Sequence, residues 1–407
     1  MSRIVIRPAT DAEMSQVGLI TSYVYGGDHG DGEQNTAATR NRAEWTLCAF
    51  DGTTMVASYA TIPFTMRANG TAMAMGGVSI VGTVPEYRRR GLLRTLTEQS
   101  FETMREKGQT VAALWASQAA IYQRFGYSMC SVRRTYEVDT VDVRLLTPAP
   151  DDLTVAREPL NEAFDTCKSL YRAFVAERTF YLHRANVLWQ ANALAARPAD
   201  GPVHVAICRN GNGEALGYLI YTLRGGGRVN HPARSQEIVI RDFAWLTIDA
   251  CRALWAFIGC HDLVGRVRWE NAPADDPAWE LFAEPRMLNA RDREGAYFRI
   301  VDVPGALTGR GYQSDGECVI AVAPDRETPW NAGTWRLAVS GGQAEVAPTT
   351  DAADVTFSIR SLASAFTGFR SVRRLASWGL VDGSEEAIRR ADALFATRYA
   401  PSCPDNF

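Results

Sequence analysis

The stretch VSIVGTVPEYRRRGLLRTL, residues 78–96, constrains this chain more than any other part of it. A β-branched run ends at Pro85, three arginines follow (Arg88, Arg89, Arg90), and Gly91 leads directly into a leucine-rich segment. Leu92, Leu93, Leu96 and Met104 recur at helical spacing, and Gly108 suits a C-terminal stop. The order is strand, basic turn, helix, which requires an α/β layer arrangement with the helix packed back on its sheet. A helix N-terminus carries unpaired N–H groups and the positive end of the helix dipole, so an anion can be held there. Gly91 permits close backbone approach. On the residues alone two readings stand: a pyrophosphate cradle, or the solvated basic start of a helix.

The flanks extend the pattern. Upstream, IVIRP reads as a strand, and Thr10 with Glu13 three residues on forms a capping-box signature for the helix that follows. Three or four antiparallel strands come next, turning at Asp51-Gly52 and Asn69-Gly70. Downstream, TVAALWAS is a buried strand, QAAIYQRFGY a short helix ending at Gly126, and SMCSVRRTYEVD a further strand. A proline-rich seam near residues 145–153 marks a boundary. Beyond it, a long helical stretch from about Glu158 to Ala195 precedes a hairpin at Asn210–Gly213, the strand SQEIVIRDFAWL, the helix IDACRALWAFIGCHD and the strand LVGRVRWEN. This order fits either a second copy of the first fold or an unrelated α/β domain. No equivalent of Arg88–Gly91 precedes the later helix, so a copy would have lost its ligand. From about Ala306, strands and amphipathic helices such as SEEAIRRADALFATRY indicate a third, smaller α+β domain.

Composition excludes several classes. With 407 residues, 46% of them hydrophobic, the chain can build more than one core. A net charge of -3 supplies no global field for nucleic acid or an anionic membrane. The eight cysteines are scattered without a CxxC pair and read as free thiols of a reducing compartment, and the five histidines show no metal spacing. No signal peptide and no apolar run of membrane-spanning length is evident. The expectation is a soluble cytoplasmic protein with no metal, no nucleic-acid partner and no membrane partner.

Together, VGTVPEYRRRGLLRTL and ASQAAIYQRFGY resemble the acetyl-CoA-binding and general-acid segments of the GNAT acyltransferases. The RRRGLL and IYQRFGY forms more closely resemble the Eis (enhanced intracellular survival) family of N-acetyltransferases. The resemblance spans the whole chain and implies an α/β (α+β) fold of two tandem GNAT-like domains, the second degenerate, plus a C-terminal sterol-carrier-protein-like α+β domain. The corresponding ranges are 1–145, 150–300 and 301–407.

The family's site residues carry over as expectations. Acetyl-CoA would be held, mostly through main-chain groups, by Val81, Gly82 and Thr83, by Arg89, Arg90, Gly91, Leu92, Leu93 and Arg94, and by Ser117 and Gln118. Tyr122 matches the general acid that meets the departing thiolate. Full proton transfer from a phenol of pKa about 10 to a thiolate of pKa about 8.5 is uphill by roughly 2 kcal/mol unless the site lowers the tyrosine. Phe407, the terminal residue, matches the family's base, its own α-carboxylate. The amine groove would take Tyr23, Tyr25, Asp28 and Ile80, with Asp31 and Glu33 close in sequence. Aromatic walls with carboxylates suit a polycation. Asn406 stands where the family has an acid, which leaves aminoglycoside, polyamine and protein lysine open. The implied reaction is direct attack of a primary amine on acetyl-CoA in a ternary complex, with N–H groups near Val81 polarising the carbonyl and no acyl-enzyme. A homohexamer is also implied. The rival is a catalytically inactive acyl-CoA- or lipid-binding regulatory protein, against which Tyr122 and Phe407 both stand.

Overall fold

Thr10 and Glu13 form the capping box, with the Thr10 N–H and Oγ1 each 2.9 Å from Glu13 Oε2. They launch α1 (Met14–Tyr25) after the strand β1 (Ile4–Pro8). These elements belong to a computed structural model that describes residues 4–26, 41–227 and 229–407. The described residues form two units, one within Met1–Cys130 and Ala296–Arg398 with Phe407, the other Ser131–Gly295 with Tyr399–Asn406.

In the first unit β1, β2 (Thr46–Asp51), β3 (Thr54–Ala68) and β4 (Thr71–Thr83) are antiparallel neighbours. The β3–β4 turn uses Asn69 and Gly70, both with positive φ (50° and 96°), which matches the strand twist of a tight hairpin. After the basic turn, α2 (Leu92–Glu106) returns the chain to β5 (Val111–Leu114), parallel to β4. Leu96, Phe101 and Met104 of α2 join Val78, Ala112 and Leu114 in one buried cluster. The short α3 (Ala119–Gln123) and β6 (Ser128–Met129) follow.

Here the structure departs from the reading of SMCSVRRTYEVD as one strand. It is two strands in two sheets: β6 stays in the first, while β7 (Val132–Val138) pairs with β12 (Val264–Ala272) and β13 (Arg291–Glu294) in the second. The second sheet is completed by β8 (Thr154–Glu158), β9 (Val203–Arg209), β10 (Ala215–Arg224) and β11 (Gln236–Trp245), in the order β13-β7-β12-β11-β10-β9-β8. The slot between β5 and β6 is filled by β14 (Tyr297–Ile300), which comes from after the second sheet. In that slot β14 buries Tyr297, Phe298 and Ile300 together with Arg299, whose charge is met by Asp325. Arg134 of β7 has its carboxylate in Asp292 of β13, which accepts from it at 2.8 and 2.9 Å.

The expected helix from Glu158 to Ala195 is also corrected. It runs only as α4 (Leu160–Val175), and a short helix resumes at Asn186–Ala191. Between them Phe180 adopts φ 73° and the chain buries Tyr181, Leu182 and the Arg184 side chain. Arg184 binds Asp242 and both oxygens of Asp405 (2.9 and 3.0 Å), while Asn192 brackets the Asn406 main chain at 2.8 and 3.2 Å. A continuous helix could not deliver these groups to the C-terminal tail of that unit.

The C-terminal region contributes a five-stranded sheet in the first unit: β15 (Gly316–Val322), β16 (Gly333–Ser340), β17 (Gln343–Pro348), β18 (Val355–Phe357) and β19 (Val381–Gly383), ordered β17-β16-β15-β18-β19. Its helix α5 (Ile359–Phe366) stacks Phe366 on Phe298 of β14 with ring centroids 5.5 Å apart.

Candidate active site

Parallel pairing of β4 with β5 ends at Val78 opposite Leu114, yet β4 runs on to Thr83 alongside β3. The two strands therefore part, and a cavity of 920 Å³ opens between their ends, α1, α2 and α3. The opening is set by a bulge in which the pairing shifts between Ser58 and Ala60, so Ile80 and Val81 together face Tyr59. Ile80 takes φ 44°, a left-handed conformation that costs a β-branched residue about 1–2 kcal/mol. Two hydroxyls hold it there. Ser58 Oγ donates to the Ile80 carbonyl at 2.8 Å, and Tyr25 Oη donates to the Val81 carbonyl at 2.9 Å.

Across the cavity lies Tyr122, on α3 and only 6% exposed. Its ring meets Tyr127 edge-on at 6.1 Å, and its hydroxyl interacts with those of Ser117 and Tyr25. Burial, reinforced by the neighbouring Tyr25 and Tyr59, pushes its pKa above that of an ordinary phenol. The site thus does not lower the tyrosine, and donation of a hydrogen bond short of full transfer is the chemistry it suits.

The far end of the cavity is cationic. Gly91, at φ 83°, opens α2 with no side-chain cap, so the leading N–H groups of the helix have no intrahelical partner. Arg88 Nε donates to the Thr83 carbonyl at 2.9 Å and Arg89 is itself left-handed at φ 62°. Of the expected acetyl-CoA contacts, Val81, Gly82, Thr83, Arg89, Gly91, Leu92, Leu93, Arg94, Ser117 and Gln118 all line the cavity. Arg90 does not; its guanidinium lies 4.7 Å over the Tyr87 ring, whose hydroxyl is bonded to Asp51. Arg124, Phe125 and Arg326 line the cavity without having been expected there. The first two adjoin Tyr122 in sequence, whereas nothing local in the sequence points to Arg326.

The expected amine-side residues separate. Tyr23 is exposed, Tyr25 is turned to Val81 and Tyr122, and Ile80 packs in the core with Val17 and Ile20. Asp28 lies outside the described residues, as do Asp31 and Glu33. Phe407 is partly buried, with its ring 5.0 Å from that of Phe64 and against Gly77, next to the point where β4 and β5 part. Among the described residues no group of three or more His, Cys, Asp or Glu could hold a metal, and no helix is long and apolar enough to cross a membrane.

Residues 5–130 match the acetyltransferase (GNAT) domain family, residues 181–300 a second acetyltransferase (GNAT) domain family, and residues 303–404 the sterol carrier protein domain family. An uncharacterised N-acetyltransferase of Streptomyces coelicolor is 32% identical over 350 residues, covering 83% of this chain and 82% of that one. The N-acetyltransferase Eis of Mycobacterium tuberculosis is 29% identical over 341 residues, 79% of this chain and 78% of its own. The crystal structure of Eis1 from Mycobacterium abscessus superposes with a TM-score of 0.83 at 26% identity, covering all of both chains. The chain belongs to the Eis family of GNAT N-acetyltransferases. Like other GNAT enzymes it uses acetyl-CoA, and the Eis architecture of two GNAT domains and a sterol-carrier-like domain is the one found. The cavity fits that co-substrate: an uncapped helix start and arginines at one end, and parted strands opposite a buried phenol at the other.

Proposed function

We propose that this Eis-family enzyme moves the acetyl group of acetyl-CoA directly to a primary amine of a cationic substrate, an aminoglycoside, a polyamine or a lysine side chain. The observation that carries the reading is the pinned bulge at Ile80–Val81 facing Tyr122 across the parted strands. Acetyl-CoA supplies an activated acyl group as a thioester. The carbonyls of Ile80 and Val81 accept from the hydroxyls of Ser58 and Tyr25, which pins the bulge, and main-chain N–H groups beside it polarise the thioester carbonyl. The Tyr122 hydroxyl donates to the departing sulfur, and its raised pKa keeps that proton in place through neutral pH. The Phe407 α-carboxylate takes the amine proton, directly or through a water; with a pKa of about 3.5 against about 10 for the amine, it acts through desolvation and placement. Tyr23 and Asp28 serve the amine side, and a homohexamer goes with the reading. The test is acetyl-CoA-dependent release of free thiol with a panel of aminoglycosides, polyamines and lysine peptides, with the products weighed by mass spectrometry. A mass gain of one acetyl group on at least one amine is expected. Tight acetyl-CoA binding with no acetylated amine across the panel would overturn the reading.

A further inference from the structure

Among the described residues the acetyl-CoA cavity is lined by five arginines, Arg88, Arg89, Arg94, Arg124 and Arg326, and by no carboxylate. Four come from the first GNAT domain. The fifth belongs to the sterol-carrier-like domain, on the loop that leaves β15. That loop is built rather than draped. Asp325 accepts from Arg299 Nη2 at 2.5 Å, from the Thr328 N–H at 2.9 Å and from Thr328 Oγ1 at 2.7 Å. Arg299 rises from β14, fully buried, and reaches Asp325 by passing beneath Gly126 of the RFGY segment. On the other side Glu327, with its side chain 5% exposed, faces Arg94 Nε at 3.8 Å. Both neighbours of residue 326 are thus anchored within the first unit, one to Arg299 of β14 and the other to Arg94 of α2.

The Arg326 side chain is held far less. Its ion pair is a 3.9 Å approach to Glu98, and it is 69% exposed, the kind of surface contact that contributes little and is readily exchanged. A guanidinium on a fixed backbone, free to turn into a cavity lined by other arginines, is suited to bidentate contact with a phosphate.

We propose that Arg326 is a phosphate ligand of coenzyme A, so that the sterol-carrier-like domain forms part of the co-substrate site. This rests on the acetyl-CoA reading above. Titration calorimetry at about 50 mM salt, where charge contacts are weakly screened, tests it with CoA and with 3′-dephospho-CoA as probes. Arg326→Gln is expected to weaken CoA binding about fivefold to tenfold, with much of the difference lost in high salt, and Arg326→Lys to recover part of it. The melting temperature should not move, since the side chain is mostly exposed. Equal weakening for both probes assigns Arg326 to the pyrophosphate, and weakening for CoA alone assigns it to the 3′-phosphate. Arg336→Gln, on the same domain and paired with Glu317 and Asp351, is the control. Wild-type affinity in Arg326→Gln, or equal weakening by Arg336→Gln, removes the assignment. A wild-type protein that binds no CoA would sink the functional reading and this assignment together.

Discussion

Gly126 is the sharpest place to test how the site is built. A Cβ added there would lie 1.4 Å from Arg299 Nη1 and 2.6 Å from its Cζ, and the residue sits at φ 77°. Gly126→Ala therefore carries two costs. The left-handed backbone costs about 1 kcal/mol with any Cβ. Displacing the buried guanidinium from Asp325 and Thr328 breaks a buried ion pair, about 3 kcal/mol at the lower end, so the substitution should destabilise the first unit by about 4 kcal/mol. In an Arg299→Met background the same glycine change should cost far less, the backbone share of about 1 kcal/mol and the close contact of the new Cβ with Ile359 Cγ2 at 2.9 Å. Urea unfolding of the four proteins of this cycle, followed by fluorescence and circular dichroism together, measures both. Equal cost of Gly126→Ala in the two backgrounds would refute the idea that this glycine exists to let Arg299 reach the 325–328 loop.

Further outcomes follow from the same geometry. Tyr25→Phe keeps the ring but frees the Val81 carbonyl; loss of one hydrogen bond of about 1.5 kcal/mol should lower kcat roughly tenfold, while acetyl-CoA affinity changes less than about twofold. A raised amine KM with unchanged kcat would instead return Tyr25 to the amine groove. Burial pushes the Asp276 carboxyl up to about 7. Its folded pKa exceeds its unfolded value near 4, so its contribution is full below about pH 4 and lost as pH rises through 7. Asp276→Asn should therefore stabilise the second unit at pH 8, by at most about 4 kcal/mol, and far less at pH 4. Denaturation at the two pH values checks this, and equal effects at both would contradict it.

What was legible in the sequence is what is local. The Thr10–Glu13 box, the Asn69-Gly70 turn and the passage from β4 through the arginines into α2 each depend on residues a few positions apart, and each is found. The residues expected from the resemblance to hold acetyl-CoA line one cavity, Arg90 excepted. Three features were hidden because their causes are distant. Exchange of β7 for β14 pairs strands more than a hundred residues apart, which no local pattern records. The left-handed Ile80 is sustained by Ser58 and Tyr25, neither adjacent in sequence. Arg326 reaches the cavity only because Arg299, Asp325 and Glu327 hold its loop. The helix beyond Val175 failed for a related reason: local propensity yielded to the burial of Arg184 against Asp242 and Asp405.

The central claim is that the parted strands, Tyr122 and the chain terminus form one acetyl-transfer site. Its most direct measurement is kcat with saturating acetyl-CoA and amine for wild type, Tyr122→Phe and a chain lacking Phe407, beside the acetyl-CoA Kd of each. The account predicts a fall in kcat of about a hundredfold or more for both variants, in the range of a lost acid or base, with Kd values within about threefold of wild type. Full turnover in both variants, at unchanged Kd, would contradict it.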